Sequence, residues 1–150
     1  MRVATGTMVL LVTLGVGVLS APEPGNGQAA ARVPRIGVLR TASPPDAGLD
    51  AFRQRLRELG HVEGQGFVIE VRFAEGRTER LPDLAAELVR LPVDVLVVMG
   101  PEPPLRAAKG ATSTIPIVMV ATTYDPIARG YVASLRQPGG NITGLFLQQV

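Results

Sequence analysis

The sequence predicts an α/β fold, a doubly wound parallel sheet with strand order 2-1-3-4-5. Strand and helix signals alternate from Arg32 onward. The strand signals at Ile36, Val38 and Leu39 and at Val95 to Val98 are short apolar runs without clean alternation, which suits strands covered on both faces. Clusters of turn formers follow each strand, and five strands joined by right-handed helical crossovers favour this order.

The first strand is centred on Ile36, Val38 and Leu39, and Thr41, Ser43, Pro44, Pro45, Asp46 and Gly48 form the loop after it. Leu49, Phe52, Leu56 and Leu59 recur at helical spacing and share one face of a helix, with Arg53, Arg55, Arg57 and Glu58 on the others. Gly60 stands where a helix ends on a left-handed residue. Val68 to Phe73 alternates enough for a strand open on one side, and so for an edge of the sheet. Thr78 and Glu79 open a second helix with Leu81, Leu84, Ala85, Leu88 and Val89 as its apolar positions; Pro82 fits only in its first turn. It ends near Arg90, before Pro92.

Val93 to Met99 is the strongest strand signal, and Gly100 ends it. Pro101 to Pro104 lead into a short helix over Leu105 to Ala111, with Pro103 and Pro104 confined to the loop or the first turn. Ile115 to Ala121 reads as a fourth strand, Thr122 to Pro126 as its loop, and Ile127 to Leu135 as helical in its second half. Pro138, Gly139, Gly140 and Asn141 make a turn before a fifth strand that starts at Ile142.

The amino terminus is of another kind. Arg2 precedes the apolar run Met8 to Leu19, which is shorter than the ~20 residues a membrane-spanning helix needs. It reads as a signal peptide, with small residues for cleavage at Ser20 and Ala21 and again at Ala29 to Ala31; an uncleaved anchor is the alternative. Residues 1–31 are therefore expected to be leader and linker, and residues 32–150 one folded unit facing outward.

Composition narrows the function. At 150 residues and 46% apolar content the chain can build one real core. The net charge of +2 is spread along helices, so no nucleic-acid surface is indicated. Cysteine is absent, which removes disulfides, thiolate metal sites and cysteine nucleophiles. The single histidine, His61, follows a helix end, where a solvated loop residue is the plain reading. A phosphoacceptor domain would need acidic residues where Arg40 and Thr41 stand and an aspartate where Met99 and Gly100 stand. A dinucleotide fold would need GxGxxG after the first strand. Neither signature is present.

The succession RIGVLR, AFRQRLRELGHVEGQGFVIEVRFAEG, RLPDLAAELVRLPVDVLVV, ATSTIPIVMV and DPIARGYVASLRQPGGNITG resembles the periplasmic substrate-binding proteins of an ABC-transporter family, which have the type I binding-protein fold and whose better-understood members take up amino acids such as tryptophan. The resemblance implies a two-lobed clamshell that acts as a monomer without cofactor or metal, captures a small ligand and passes it to a membrane permease. It also implies that this chain supplies the first lobe only and stops where a second would begin, as a fragment or truncated gene product would. An exported sensor or enzyme lobe on the same fold is the rival from another class.

In that fold the loops after strands one, three and four line the cleft, here Thr41 to Asp46, Gly100 to Pro104 and Ala121 to Asp125. The resemblance implies ligand contacts at Ser43 and Thr41 in the first loop, Gly100 and Glu102 in the second, and Tyr124 and Asp125 in the third. Ser43 and nearby amides suit a ligand carboxylate, or Ser43 caps the next helix. Asp125 suits a ligand ammonium, or caps the turn that Pro126 opens. Glu102 serves the same ammonium or offsets its own helix dipole, and Tyr124 stacks on the ligand or packs. With Arg40 as a further positive group at the first strand's end, the polarity suits an amino acid. Relatives carry small residues after the third strand, whereas Pro101, Pro103 and Pro104 here remove backbone donors.

Overall fold

A computed structural model describes residues 32–147. The expected leader, its cleavage sites and residues 148–150 lie outside the described residues.

Five parallel strands, β1 (Arg35–Arg40), β2 (Val68–Phe73), β3 (Val95–Gly100), β4 (Ile117–Ala121) and β5 (Ile142–Phe146), form one sheet in the order β2-β1-β3-β4-β5. Helices α1 (Ala47–Glu58), α2 (Leu81–Arg90) and α3 (Glu102–Ala111) make three of the crossovers. The predicted order and edge position of β2 are both observed.

Alternation along the strands sends side chains to two faces. On one face Leu39, Leu96, Val98, Ile117, Met119 and Ile142 pack against Leu84, Leu88, Leu105 and Ala108 of α2 and α3. On the other Val38, Ile69 and Val97 pack against Leu49, with Phe52 and Leu56 of α1 beside them. The apolar stripe read for the first helix thus meets the sheet with three of its four leucine and phenylalanine positions. Leu59 is the correction: it falls one residue beyond the helix and is 58% exposed. Gly60 does take the left-handed conformation expected of it, at φ 85°.

Three more boundaries differ from the sequence reading. β3 and β4 start two residues later than expected, at Val95 and Ile117, because Val93 and Ile115 pack in the preceding loops. α3 starts at Glu102, so that Pro103 and Pro104 occupy its first turn, where a missing N–H costs nothing. The segment Ile127 to Leu135 is not helical. It makes a single knot of turns in which the N–H of Arg129 donates to Asp125 O at 3.1 Å and that of Tyr131 to Pro126 O at 2.9 Å. Gly130, at φ 70°, then turns the chain away before a second helical turn forms.

β5 lies so close to β4 that one position has no room for a side chain. Gly144 has φ 143°, and a Cβ there would sit 1.9 Å from Met119 O. Gly144→Ala is therefore expected to strain the edge strand by about 1–3 kcal/mol, seen as a thermal midpoint lower by several degrees. A midpoint unchanged from wild type would show that β5 can separate from β4 without loss.

Candidate functional site

In a parallel sheet every strand ends at the same edge, and the carboxyl ends of β1, β3 and β4 are central here. Arg40, Gly100 and Ala121 close these strands, with Gly100 and Ala121 paired in register and Thr122 N–H donating to Gly100 O at 3.3 Å. The first and third loops named from the sequence therefore start from neighbouring strand ends on either side of the second.

Arg40 ties that edge together. Its Nε and Nη2 donate to Asp46 Oδ2 and Oδ1 at 2.6 and 2.9 Å, a bidentate pair, and its Nη1 donates to the carbonyl of Met99. Both side chains are largely removed from water, at 13% and 4% exposure. Arg40 is therefore not the free cation the sequence suggested for a ligand carboxylate; its charge is matched from within.

Asp46 is also the N-cap of α1, its Oδ1 accepting from Gly48 and Leu49 N–H at 2.9 and 3.2 Å. The capping alternative for Ser43 thereby falls to Asp46. The signal was legible, since an aspartate three residues before the first buried apolar position is a common helix start. Hydrogen bonding to Arg40 holds the Asp46 carboxyl below its usual range; burial opposes this, and the two amides assist.

The first loop is otherwise held by backbone. Gly76 N–H donates to Thr41 O at 2.7 Å and Glu75 N–H to Ala42 O at 3.2 Å. Thr41 Oγ1 is buried without a hydrogen-bond partner. Ser43 is exposed, and its hydroxyl makes no hydrogen bond among the described residues.

In the other two loops Glu102 is already engaged. Its Oε1 accepts from the Tyr131 hydroxyl at 2.8 Å and its Oε2 lies 3.6 Å from Arg129 Nε. Tyr124 meets Tyr131 edge to face with ring centres 6.1 Å apart. Burial, joined by the proximity of Tyr131 and Glu102, pushes the Tyr124 phenol up to about 12. Burial and the hydrogen bond to Glu102 do the same for Tyr131, also to about 12, so both rings stay neutral near neutral pH. Asp125 is exposed, and its Oδ1 accepts from Ile127 and Ala128 N–H at 2.8 and 3.1 Å. Its Oδ2 has no hydrogen-bond partner among the described residues. Tyr131, 29 residues from Glu102, carried no signal that sequence reasoning could have used.

Two of the cavities among the described residues border α3. One, of about 360 Å³, runs between α2 and α3 beside Leu81, Ala86, Arg106 and Ala107. The other, of about 530 Å³, lies among Lys109, Ile127, Tyr131 and Gly139 to Ile142. Neither is lined by the loop after β1 or by Tyr124 and Asp125.

Removing one partner of a buried pair leaves the other uncompensated. Asp46→Ala should lower stability by about 3–5 kcal/mol in denaturant titrations, whereas Asp46→Asn, which keeps the capping oxygen, should lose less. Because the folded pKa lies below the ordinary 3.8, this contribution is full above that value and is lost as pH falls through it and on toward the folded value. Wild-type stability should therefore decline as the medium becomes more acidic than about pH 4, and Asp46→Asn should show a shallower decline. Equal acid profiles would mean that the pair adds nothing.

With fold and edge described, the likenesses to known proteins become specific. The sequence profile of the ABC transporter substrate binding protein family matches residues 38–148. The tyrosine-binding protein of Clostridioides difficile (strain R20291) is 28% identical over 149 residues, covering 92% of this chain and 43% of its own. Among solved structures, the ligand-free, open form of a substrate binding protein with adhesive properties from Clostridium difficile superposes with a TM-score of 0.67 at 28% identity, over 75% of this chain and 38% of that one. An ABC domain in complex with L-Trp from Streptococcus pneumonia gives 0.63 at 27% identity, and a conserved domain protein from Vibrio cholerae O1 biovar El Tor gives 0.64 at 33%, each with the same coverage. The chain spans less than half the length of each of these relatives. Since the profile covers most of the chain and the sheet order is that expected of such a lobe, the chain belongs to the ABC transporter substrate binding protein family.

Proposed function

We propose that residues 32–150 are the amino-terminal lobe of the solute-binding component of an ABC importer, which captures an amino acid outside the membrane and delivers it to a permease. The observation that carries this reading is the shared edge: in a chain of this family, the loops after β1, β3 and β4 start from neighbouring parallel strand ends, where ligands of open α/β sheets bind. The names of two relatives, a tyrosine-binding protein and a complex with L-Trp, support an amino acid with an aromatic side chain.

In this proposal the ligand carboxylate lies at the first loop, near Ser43 and the unpartnered hydroxyl of Thr41. Pro101, Pro103 and Pro104 supply no amide donors, so the loop that follows Gly100 adds little to anion binding. The ammonium goes to Asp125, whose Oδ2 is uncommitted, because Glu102 is held by Tyr131 and Arg129. Tyr124 supplies an aromatic edge, and a second lobe closes over the ligand side chain.

Asp125→Asn is a direct test, since asparagine keeps the oxygen that accepts from Ile127 and Ala128 and replaces the charged, uncommitted Oδ2 with a neutral NH2 donor. Calorimetry with L-tyrosine and L-tryptophan on a two-lobed form of the protein should show binding weakened by about 1.5–3 kcal/mol. Unchanged affinity, or preference for an anion without an amine, would reject the assignment. Export has its own check. Amino-terminal sequencing of protein recovered from outside the cytoplasmic membrane should begin near Arg32, and material retaining Met1 in the cytoplasm would rule it out.

A further inference from the structure

Glu102 and Lys109 stand seven residues apart on α3, two helical turns, and so on one face. Tyr131 lies against both. Its hydroxyl donates to Glu102 Oε1 at 2.8 Å, and Lys109 Nζ lies 5.1 Å from the centre of its ring while donating to Gly130 O at 3.3 Å. Arg129 adds its ion pair to Glu102. Acid at the first turn of α3 and base at the last are also the signs that its dipole favours.

The segment so gripped begins at Asp125. Asp125 Oδ1 and O accept from Ile127, Ala128 and Arg129, and Tyr131 N–H closes the knot onto Pro126 O. No regular helix or strand runs from Thr122 to Asn141, so the knot has no ladder of its own to hold it. Tyr124, at its near end, packs edge to face on Tyr131.

We propose that Tyr131, clasped between Glu102 and Lys109, is a positioning residue that sets the geometry of Asp125 and Tyr124 and so the affinity for the ligand. This rests on the reading of Asp125 as a ligand contact and adds to it the group that orients the loop. Glu102 then acts on the ligand through Tyr131 and not by contact. Preorganisation of this kind raises affinity because the loop's ordering cost is met before binding.

The test uses Tyr131→Phe, Glu102→Gln and the double variant. Hydrogen exchange at the Ile127 and Ala128 amides, which needs no ligand, should quicken about tenfold in each single variant while exchange in β3 is unchanged. In the two-lobed protein, L-tyrosine and L-tryptophan should bind about tenfold more weakly to either single variant, and the double variant should be no weaker than Tyr131→Phe alone. A purely structural tyrosine would lower the thermal midpoint without changing affinity, and that result overturns the proposal. Unchanged exchange at Ile127 and Ala128 overturns it whatever the ligand does. A further loss on adding Glu102→Gln to Tyr131→Phe overturns it too, because Glu102 would then be touching the ligand. If wild type binds no amino acid, the functional reading falls and the positioning role with it; if wild type binds and the variants bind equally well, only the positioning role falls.

Discussion

A carboxylate taken out of water must have its charge and its lone pairs matched, or it will not stay charged. Asp46 is the buried charged residue of the described unit, and the β1 and β3 ends of the carboxyl edge depend on how it is matched. The planar guanidinium of Arg40 takes both oxygens, while the first amides of α1 take what remains of one. The third arm of Arg40 reaches the end of β3. One pair therefore fixes three things relative to one another: where β1 stops, where α1 starts, and where β3 releases its loop. Thr41 and Ser43 are carried on the span between the two charged residues, so the candidate first loop is held at both ends.

The sheet decides where that edge can matter. Parallel pairing collects the strand ends on one side, and burial of both faces under α1, α2 and α3 leaves little room for polar chemistry elsewhere in the core. Binding groups then have to come from loops, where backbone and side chains can turn toward a ligand without disrupting the ladder. The prolines after β3 sharpen this division. They let α3 begin at once but withhold amide donors at its amino end, leaving the loops after β1 and β4 with most of the polar equipment.

Around α3 charged and aromatic groups are linked differently. Glu102, Lys109 and Arg129 surround Tyr131, and Tyr124 rests on its ring. The phenols remain neutral because burial and a neighbouring carboxylate both disfavour a phenolate, so the hydrogen bond to Glu102 persists through the neutral range. A turn segment without a ladder of its own thereby acquires a defined position from contacts that are remote in sequence.

Much of this was legible before any coordinates. Short apolar runs marked the strands and apolar spacing marked the first two helices, because such residues have to face a core, while the third helix was marked by the prolines that lead into it. Turn residues marked their ends, and the same local chemistry pointed to the loops at the carboxyl edge. Local pattern failed where a choice depended on distant partners. Nothing near Arg40 says that its guanidinium is used by Asp46 and Met99 and not by a ligand, and nothing near Glu102 says that Tyr131 will occupy it. The second half of Ile127 to Leu135 reads as helical, yet Gly130 and the closure of the preceding turn onto Asp125 and Pro126 lead the chain into bends instead. By itself the sequence marked the apolar faces of the core and the edge that carries the loops, through short-range pattern, and favoured the strand order through the right-handed connection of successive strands. Only the tertiary structure decided which charged groups at that edge are matched internally, because pairing is set by proximity in space, and residues 29 and 59 positions apart are brought together only by the packing of α3 and the register of β1 on β3.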